Sequence, residues 1–170
     1  MRVRTYVPAV FVVLLIALLT VSASTKETRL VTGINPGDLA PGIKSLENGS
    51  DLSFHNHLGR YTLLCFWAAY DGESRARNVA LSNEVNKLDS KKIVMYSISL
   101  DDNQSIFEET LKIDKLDKAN QLREGFNSKS TLYKAYKLKR GLKTFLIDDK
   151  GKIISVNIHP KQLAELLKNS

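Results

Sequence analysis

The sequence of 170 residues contains a single cysteine, Cys65. An intramolecular disulfide, a CxxC redox pair and a cysteine-rich zinc site each need at least two thiols in one chain, so all three are excluded. Glycine and proline are also scarce, with 9 and 4 residues, which excludes collagen-like and low-complexity sequences. The contents of 43% hydrophobic and 25% charged residues are ordinary for a globular protein, and the length suits one domain of ~150 residues.

The longest apolar stretch lies at the N-terminus. Arg2 and Arg4 precede an apolar run over residues 6–19, and small residues then lead up to Ala23. This order is typical of a secretory signal peptide and predicts cleavage after Ala23. The run is short for a membrane-spanning helix, which needs ~20 residues. We therefore expect an exported protein, with an uncleaved N-terminal membrane anchor as the alternative.

Strands and helices alternate over the rest of the chain. Continuous apolar runs over residues 60–69 and 93–100 predict strands that are buried on both faces. Between them, apolar residues recur at helical spacing and predict a helix over 74–88. The other predicted elements are strands over 43–46, 144–147 and 152–156, turns over 47–50 and 148–151, and helices over 106–116, 130–136 and 161–167. The expected organisation is a signal peptide over 1–23, an extended lead-in over 24–36 and one domain over 37–170. This order predicts an α/β fold, a mixed sheet with helices on both faces.

Four segments resemble one known family. They are Gly37–Pro41, Gly59–Ala69, Ile98–Asp101 and Phe145–Ile153. In this order and spacing they resemble the G-x-x-A-P, G-K-x-x-L-L-x-F-W-A, V-S-L-D and F-L-I-D-x-x-G-K-I motifs of the thioredoxin-like superfamily. The resemblance is to the TlpA/ResA-like (AhpC/TSA-type) exported thiol–disulfide oxidoreductases. It implies a thioredoxin-like fold, a periplasmic location and an ancestral redox activity.

The residues at the family's redox motif differ in this sequence. The family places two cysteines at the start of the helix after the F-W-A strand, where the helix N-terminus stabilises the attacking thiolate. The resemblance places Asp71 and Ser74 at these two positions, with Tyr70 in place of the usual tryptophan and Glu73 in place of the usual proline. Neither Asp71 nor Ser74 can form a disulfide, and both suit the start of a helix. The catalytic motif is therefore degenerate.

Both prolines of the family pattern are also missing. The resemblance places Leu142 at the position of the family's cis-proline, and Val79 at the proline that kinks the first helix. A cis peptide bond before leucine would cost ~3 kcal/mol, so we expect a trans bond and an altered substrate groove. The loss of both cysteines and both prolines indicates a lost redox activity.

Cys65 lies in the middle of the predicted central strand. A cysteine there is expected to be a small buried hydrophobic residue that does not react with thiol reagents. The alternative is a reactive lone thiol in a peroxidase-like or glutaredoxin-like reaction, which would need an exposed and electropositive setting.

The positive charge is concentrated before the last strands. The net charge is +7, and no acid interrupts a run of cations at Lys129, Lys134, Lys137, Lys139, Arg140 and Lys143. Such a run is a solvated surface or a patch that attracts an acidic ligand. The candidate binding residues are Tyr70, Glu73, Lys139, Arg140 and Lys143. The expected partner is an acidic envelope protein or peptide. Nucleic acid is not expected, and a membrane only if the N-terminal segment is not cleaved.

Two other polar pairs are candidate sites. His55 and His57 have the spacing of two metal ligands on a strand, but they lack a third ligand nearby and are expected to lie in a solvated loop. Asp101 and Asp102 end a strand and are expected to be a helix-capping or turn pair. We expect no metal and no cofactor.

Two functions remain open from the sequence. The first is a redox-inactive binding or scaffold module of the envelope that keeps the thioredoxin-like fold. The alternative is a thiol–disulfide oxidoreductase or antioxidant that works through Cys65 or through a thiol from a partner. The reactivity of Cys65 in the folded chain discriminates between them.

Overall fold

The structure is a computed structural model, which describes residues 31–44, 46, 49, 51–55, 59–125, 127 and 129–168. The predicted signal peptide over 1–23 lies outside the described residues, as does most of the predicted turn over 47–50. Within the described ranges, no helix is both long enough and apolar enough to cross a membrane.

A five-stranded mixed sheet forms the centre of the fold. The elements are β1 Tyr61–Trp67, α1 Gly72–Val85, β2 Ile93–Ser99, α2 Gln104–Ile113, β3 Gln121–Arg123, α3 Thr131–Ala135, a 3-10 turn Leu138–Arg140, β4 Thr144–Ile147, β5 Ile153–Val156 and α4 Pro160–Lys168. The strand order is β3-β2-β1-β4-β5. β1, β2 and β3 run parallel, and β4 is antiparallel to both β1 and β5. The predicted α/β fold with a mixed sheet is confirmed.

The central strand β1 buries both of its faces. On one face Leu64 and Phe66 pack with Tyr136 and Phe145. On the other face Leu63 and Cys65 belong to a cluster with α1 and α4 side chains, including Leu81, Leu163 and Leu167. Helices thus cover both faces, as predicted. Each large apolar side chain buried in this way contributes about 1.5–3 kcal/mol, so the continuous apolar sequence of β1 fixes it at the centre.

The last residue of β1 is the only tryptophan of the chain. Trp67 is fully buried and packs with Phe107 and Leu111 of α2, its ring centroid 6.1 Å from that of Phe107. α2 begins at the cap residue Asn103, whose side chain accepts hydrogen bonds from the backbone of Ser105 and Ile106. The start of α2 and the carboxyl end of β1 therefore lie at the same end of the sheet.

Two elements differ from the sequence prediction. β3 was not predicted, because its three half-buried residues, Gln121–Arg123, are too few to show an alternating pattern. They pair only with Ser97–Ser99 of β2. The described residues of the predicted strand over 43–46 form no strand. Ile43 instead makes an isolated β-bridge with Leu52. Both segments lie outside the continuous apolar runs that made the other strands predictable.

Candidate functional site

Asp71 and Ser74, which the resemblance places at the family's two cysteines, lie at the start of α1, where Asp71 is the N-cap. The Asp71 carboxylate accepts a 2.9 Å hydrogen bond from the Ser74 amide, and the Ser74 hydroxyl donates to the Asp71 carbonyl oxygen at 3.1 Å. Ser74 is 1% exposed, and its hydroxyl also accepts from the Ala68 amide at 3.4 Å. The helix-start role predicted for Asp71 and Ser74 is confirmed. The Asp71 side chain satisfies a backbone amide that the helix end leaves without a partner, and the Ser74 hydroxyl is engaged with the backbone that leads into the helix.

A second carboxylate holds the loop before α1. Asp101 is only 4% exposed. Its two oxygens both accept from the Ala69 amide at 3.0 Å, and one also accepts from the Ser99 hydroxyl at 2.7 Å. The sequence analysis expected Asp101 and Asp102 to cap a helix or form a turn pair. The cap of α2 is instead Asn103, because Asp101 is turned inward toward the backbone of the β1–α1 loop.

Tyr70 is an exposed residue directly before the cap of α1. It is 70% exposed. Partial burial raises the pKa of Tyr70, and Asp101, Tyr133, Asp71 and Asp102 raise it further. The charges around Tyr70 therefore oppose its ionisation.

The altered proline position lies opposite α1. The peptide bond before Leu142 is trans, since the described chain has no cis peptide bond, and this expectation is confirmed. The Arg77 guanidinium donates to the Leu142 carbonyl oxygen at 2.9 Å and to the Asn157 side chain at 3.3 Å. Its other nitrogen forms a 2.6 Å ion pair with Glu73. An arginine of the chain thus spans the space between α1 and the segment before β4.

Cys65 is fully buried in β1. Burial raises the pKa of the Cys65 thiol to about 12, against smaller opposing effects of Arg77 and of a hydrogen bond with Ser97. A thiolate is the reactive form of cysteine, and a buried group with this pKa does not form one near neutral pH. The predicted buried position is confirmed.

The cations before β4 surround a groove. Its volume is about 490 Å³, and its lining is Tyr133, Lys134, Lys137, Lys139 and Arg140. All four cations are exposed. Among the described residues, none of them forms an ion pair. We call this surface the basic groove.

The five candidate binding residues do not form one cluster. Lys139 and Arg140 line the basic groove, whereas Tyr70 is outside its lining. Glu73 is paired with Arg77 instead, and Lys143 is half-buried and outside the lining. The sequence analysis missed Tyr133, although its place inside the basic run was visible.

The histidine pair is described only in part. His55 lies 3.4 Å from the Lys150 carbonyl oxygen, measured from its Nδ1 atom, whereas His57 lies outside the described residues. In the described ranges, no three His, Cys, Asp or Glu side chains are grouped as metal ligands.

A sheet of this order, with a helix starting directly after the central strand, defines a thioredoxin-like α/β protein. No family model and no curated protein matches the chain. Among solved structures, it is similar to a thioredoxin-like protein from Parabacteroides distasonis, with 58% identity over 82% of this chain and 99% of that one and a TM-score of 0.76. A thiol-disulfide oxidoreductase from Bacteroides fragilis is 30% identical over 78% of this chain and 98% of that one, with a TM-score of 0.58.

A third similar structure is the thioredoxin domain of a thiol-disulfide oxidoreductase from Bacteroides vulgatus. It is 20% identical, with a TM-score of 0.63 over 81% of this chain and 98% of that one, and at this identity it supports the fold alone. The chain belongs to the thioredoxin-like superfamily.

Proposed function

We propose that this chain is a redox-inactive, thioredoxin-like binding protein of the cell envelope, and that it binds an acidic peptide or protein segment in the basic groove. Its export rests on the leader pattern before Ala23. The observation that carries the proposal is the state of the thiol: the chain's only cysteine is fully buried in the sheet.

Thiol–disulfide exchange needs a thiolate that reaches a disulfide sulfur. Cys65 has neither access nor a low pKa, since burial raises that pKa to about 12. Asp71 and Ser74 bring no thiol to the helix start, and both are engaged in its cap. The same observation argues against the alternative function, because a partner's thiol would find no accessible sulfur here with which to form a mixed disulfide.

The partner's chemistry is inferred from charge. Four cations surround Tyr133 in the basic groove without an ion pair among the described residues. Like charges held close together repel, and an anionic ligand relieves this repulsion. The ring of Tyr133 offers a flat surface on which a peptide can pack. The groove therefore fits an acidic peptide better than a neutral one.

Thiol titration tests the redox part of the proposal. The purified chain is treated with a chromogenic disulfide reagent at pH 7.5, first folded and then in denaturant. We expect one thiol per chain to react in denaturant and essentially none in the folded chain. Rapid labelling of Cys65 in the folded chain would overturn the proposal and return the oxidoreductase alternative.

Peptide binding tests the partner part. A fluorescent peptide of glutamate and glycine is titrated at low salt against the chain and against the charge-reversal variant Lys139→Glu/Arg140→Glu. We expect affinity to fall ~two- to thirtyfold in this variant, since exposed charge pairs contribute about 0.2–1 kcal/mol each and two are lost.

The matched control reverses two exposed lysines away from the groove, Lys91→Glu/Lys161→Glu. It changes the net charge by the same amount. If both variants weaken binding equally, the effect is net charge alone and the groove is not the site.

A further inference from the structure

We propose that the open half of β2 is a second binding site, which takes a short extended peptide with apolar side chains as an added strand. The site lies on the sheet edge that β3 covers only in part. β2 has seven residues, Ile93–Ser99, but β3 pairs only with the last three. Among the described residues, the first four residues of β2 therefore have no neighbouring strand on this side.

The hydrogen bonds of β2 show which of its residues direct their backbone groups toward the β3 side. The Ser97 amide donates to Asn120 and the Ser99 carbonyl accepts from Glu124, each at 3.0 Å, across the β3 side. Alternate residues of a strand present their backbone groups to the same side, so Met95 also faces the β3 side. Among the described residues, Met95 has no hydrogen-bond partner across that edge.

The open edge is recessed. Met95 is only 8% exposed, and buried backbone groups without partners are costly. The chain turns just before β3, where Asn120 adopts a left-handed conformation with φ of 62° and the Gln121 amide bonds back to Lys118. Since β3 pairs with Ser97–Ser99, we infer a wedge between the earlier half of β2 and the segment leading into β3.

The wedge opens into a cleft of about 440 Å³. That volume is within the ~300–1,000 Å³ usual for ligand sites. Its apolar lining includes Val85 and Leu88 at the end of α1, together with Ile93 and Met95. The side-chain oxygen of Gln121, also in the lining, is buried and has no hydrogen-bond partner among the described residues.

These features fit a main chain better than a charged ligand. An added strand supplies N–H and C=O groups at the spacing of the sheet and directs alternate side chains to one face. It would pair with Met95, place an apolar side chain against Val85 and Leu88, and donate to Gln121. Arg60 and Asp117, which carry opposite charges, both line the cleft, so the cleft favours neither an anionic nor a cationic ligand. The cleft and the basic groove thus take different ligands.

Amide NMR of the ¹⁵N-labelled chain tests the site. The probes are four blocked tetrapeptides with valine, leucine, phenylalanine or serine at the second position. We expect the apolar peptides to shift the amides of Met95 and Gln121 and to slow hydrogen exchange at Met95 at least ~tenfold, because a new hydrogen bond protects an amide from exchange. The serine peptide should bind more weakly than the apolar ones.

Two controls separate strand addition from other binding. Methylating the central amide nitrogen of the peptide removes a donor to the Met95 carbonyl oxygen and blocks strand pairing, so it should abolish binding and with it the protection of the Met95 amide. Ala119→Trp, which fills the cleft from an exposed loop position, should weaken binding at least ~tenfold, whereas Ala76→Trp on the exposed side of α1 should not.

Three outcomes would overturn the strand-addition site. They are no binding by any of the four peptides, equal binding by Ala119→Trp and Ala76→Trp, or amide shifts confined to residues 133–140. The last outcome would leave the basic groove as the peptide site, so failure here and failure of the proposed function are distinguishable.

Discussion

The guanidinium of Arg77 binds the carbonyl oxygen of Leu142 at 2.9 Å, joining residues 65 positions apart in the chain. Arg77 is on α1, three residues beyond Ser74, and Leu142 is the residue that the resemblance places at the family's cis-proline. A side chain of α1 therefore connects this helix to the segment before β4. A ligand that needs the Leu142 carbonyl must first displace Arg77.

Removing this connection is expected to destabilise the fold. Arg77→Ala leaves the Leu142 carbonyl and the Asn157 side chain without a charged donor, and we expect it to cost about 1.5–3 kcal/mol, the range for hydrogen bonds to charged groups. Urea unfolding measures the loss. Glu73→Gln is the matched control: the Glu73 side chain is 87% exposed, so removing its ion pair with Arg77 should change stability by less than ~0.5 kcal/mol. Equal effects of the two variants would contradict the structural role of the Leu142 bond.

The cap at the start of α1 gives a second prediction. Asp71→Ala removes the acceptor of the Ser74 amide and should cost ~1 kcal/mol of folding free energy. Asp71→Asn and Asp71→Ser retain a capping oxygen and should lose only a few tenths of a kcal/mol of folding free energy. Thermal unfolding at pH 7 compares the three variants. An Asn or Ser variant as unstable as the Ala variant would mean that Asp71 acts through its charge and not through the cap.

The buried thiol should make stability depend on alkaline pH. Burial raises the pKa of Cys65 from its usual 9.0 to about 12 in the folded chain. The folded state therefore holds the thiol proton more tightly than the unfolded state. This contribution is complete below pH 9 and is lost as the pH rises from 9 to 12, by about 1.4 kcal/mol per pH unit.

Cys65→Ala isolates this effect from other groups that titrate in the same range. Tyr136 also loses a proton less readily when folded, since burial raises its pKa, and it is present in both proteins. Urea unfolding between pH 8 and 11 should show a steeper loss of stability in the parent chain than in Cys65→Ala. Parallel pH profiles would show that the thiol is not protected by the fold.

Asp101 gives a fourth prediction. Asp101→Asn replaces a carboxylate oxygen that accepts from the Ala69 amide with an amide that donates, and we expect a loss of about 1–3 kcal/mol. Hydrogen exchange at Ala69 should also become faster. Asp149→Asn, at a turn position of lower burial, serves as the control and should be nearly neutral. A neutral Asp101→Asn would show that a single side-chain oxygen at this position is enough to hold the Ala69 amide.

The sequence predicted the parts of the fold with strong local signals. β1 and β2 were predictable because their apolar runs are continuous, and the Asp71 cap because an acceptor stands directly before a helical pattern. β3 was not, since its three half-exposed residues take their strand conformation from pairing with β2.

The site was less predictable than the fold. Arg77 looks like any surface arginine on a helix, and only the tertiary fold brings it to Leu142. In the same way, the sequence shows that Asp101 follows a strand but not that its carboxylate turns inward to Ala69. The type of a residue is visible at its own position in the sequence. The hydrogen-bond partner of a polar side chain, in contrast, depends on segments that are distant in the chain.

The burial of Trp67 determines what fluorescence can report about this protein. As the sole tryptophan, it emits from the contact between the sheet and α2, whereas the basic groove is on α3 and the 3-10 turn. Its emission will therefore change when α2 separates from the sheet. Because no other tryptophan contributes, excitation at 295 nm will report on this location alone. Ligands in the groove should leave that emission unchanged, so an acidic peptide has to carry its own dye.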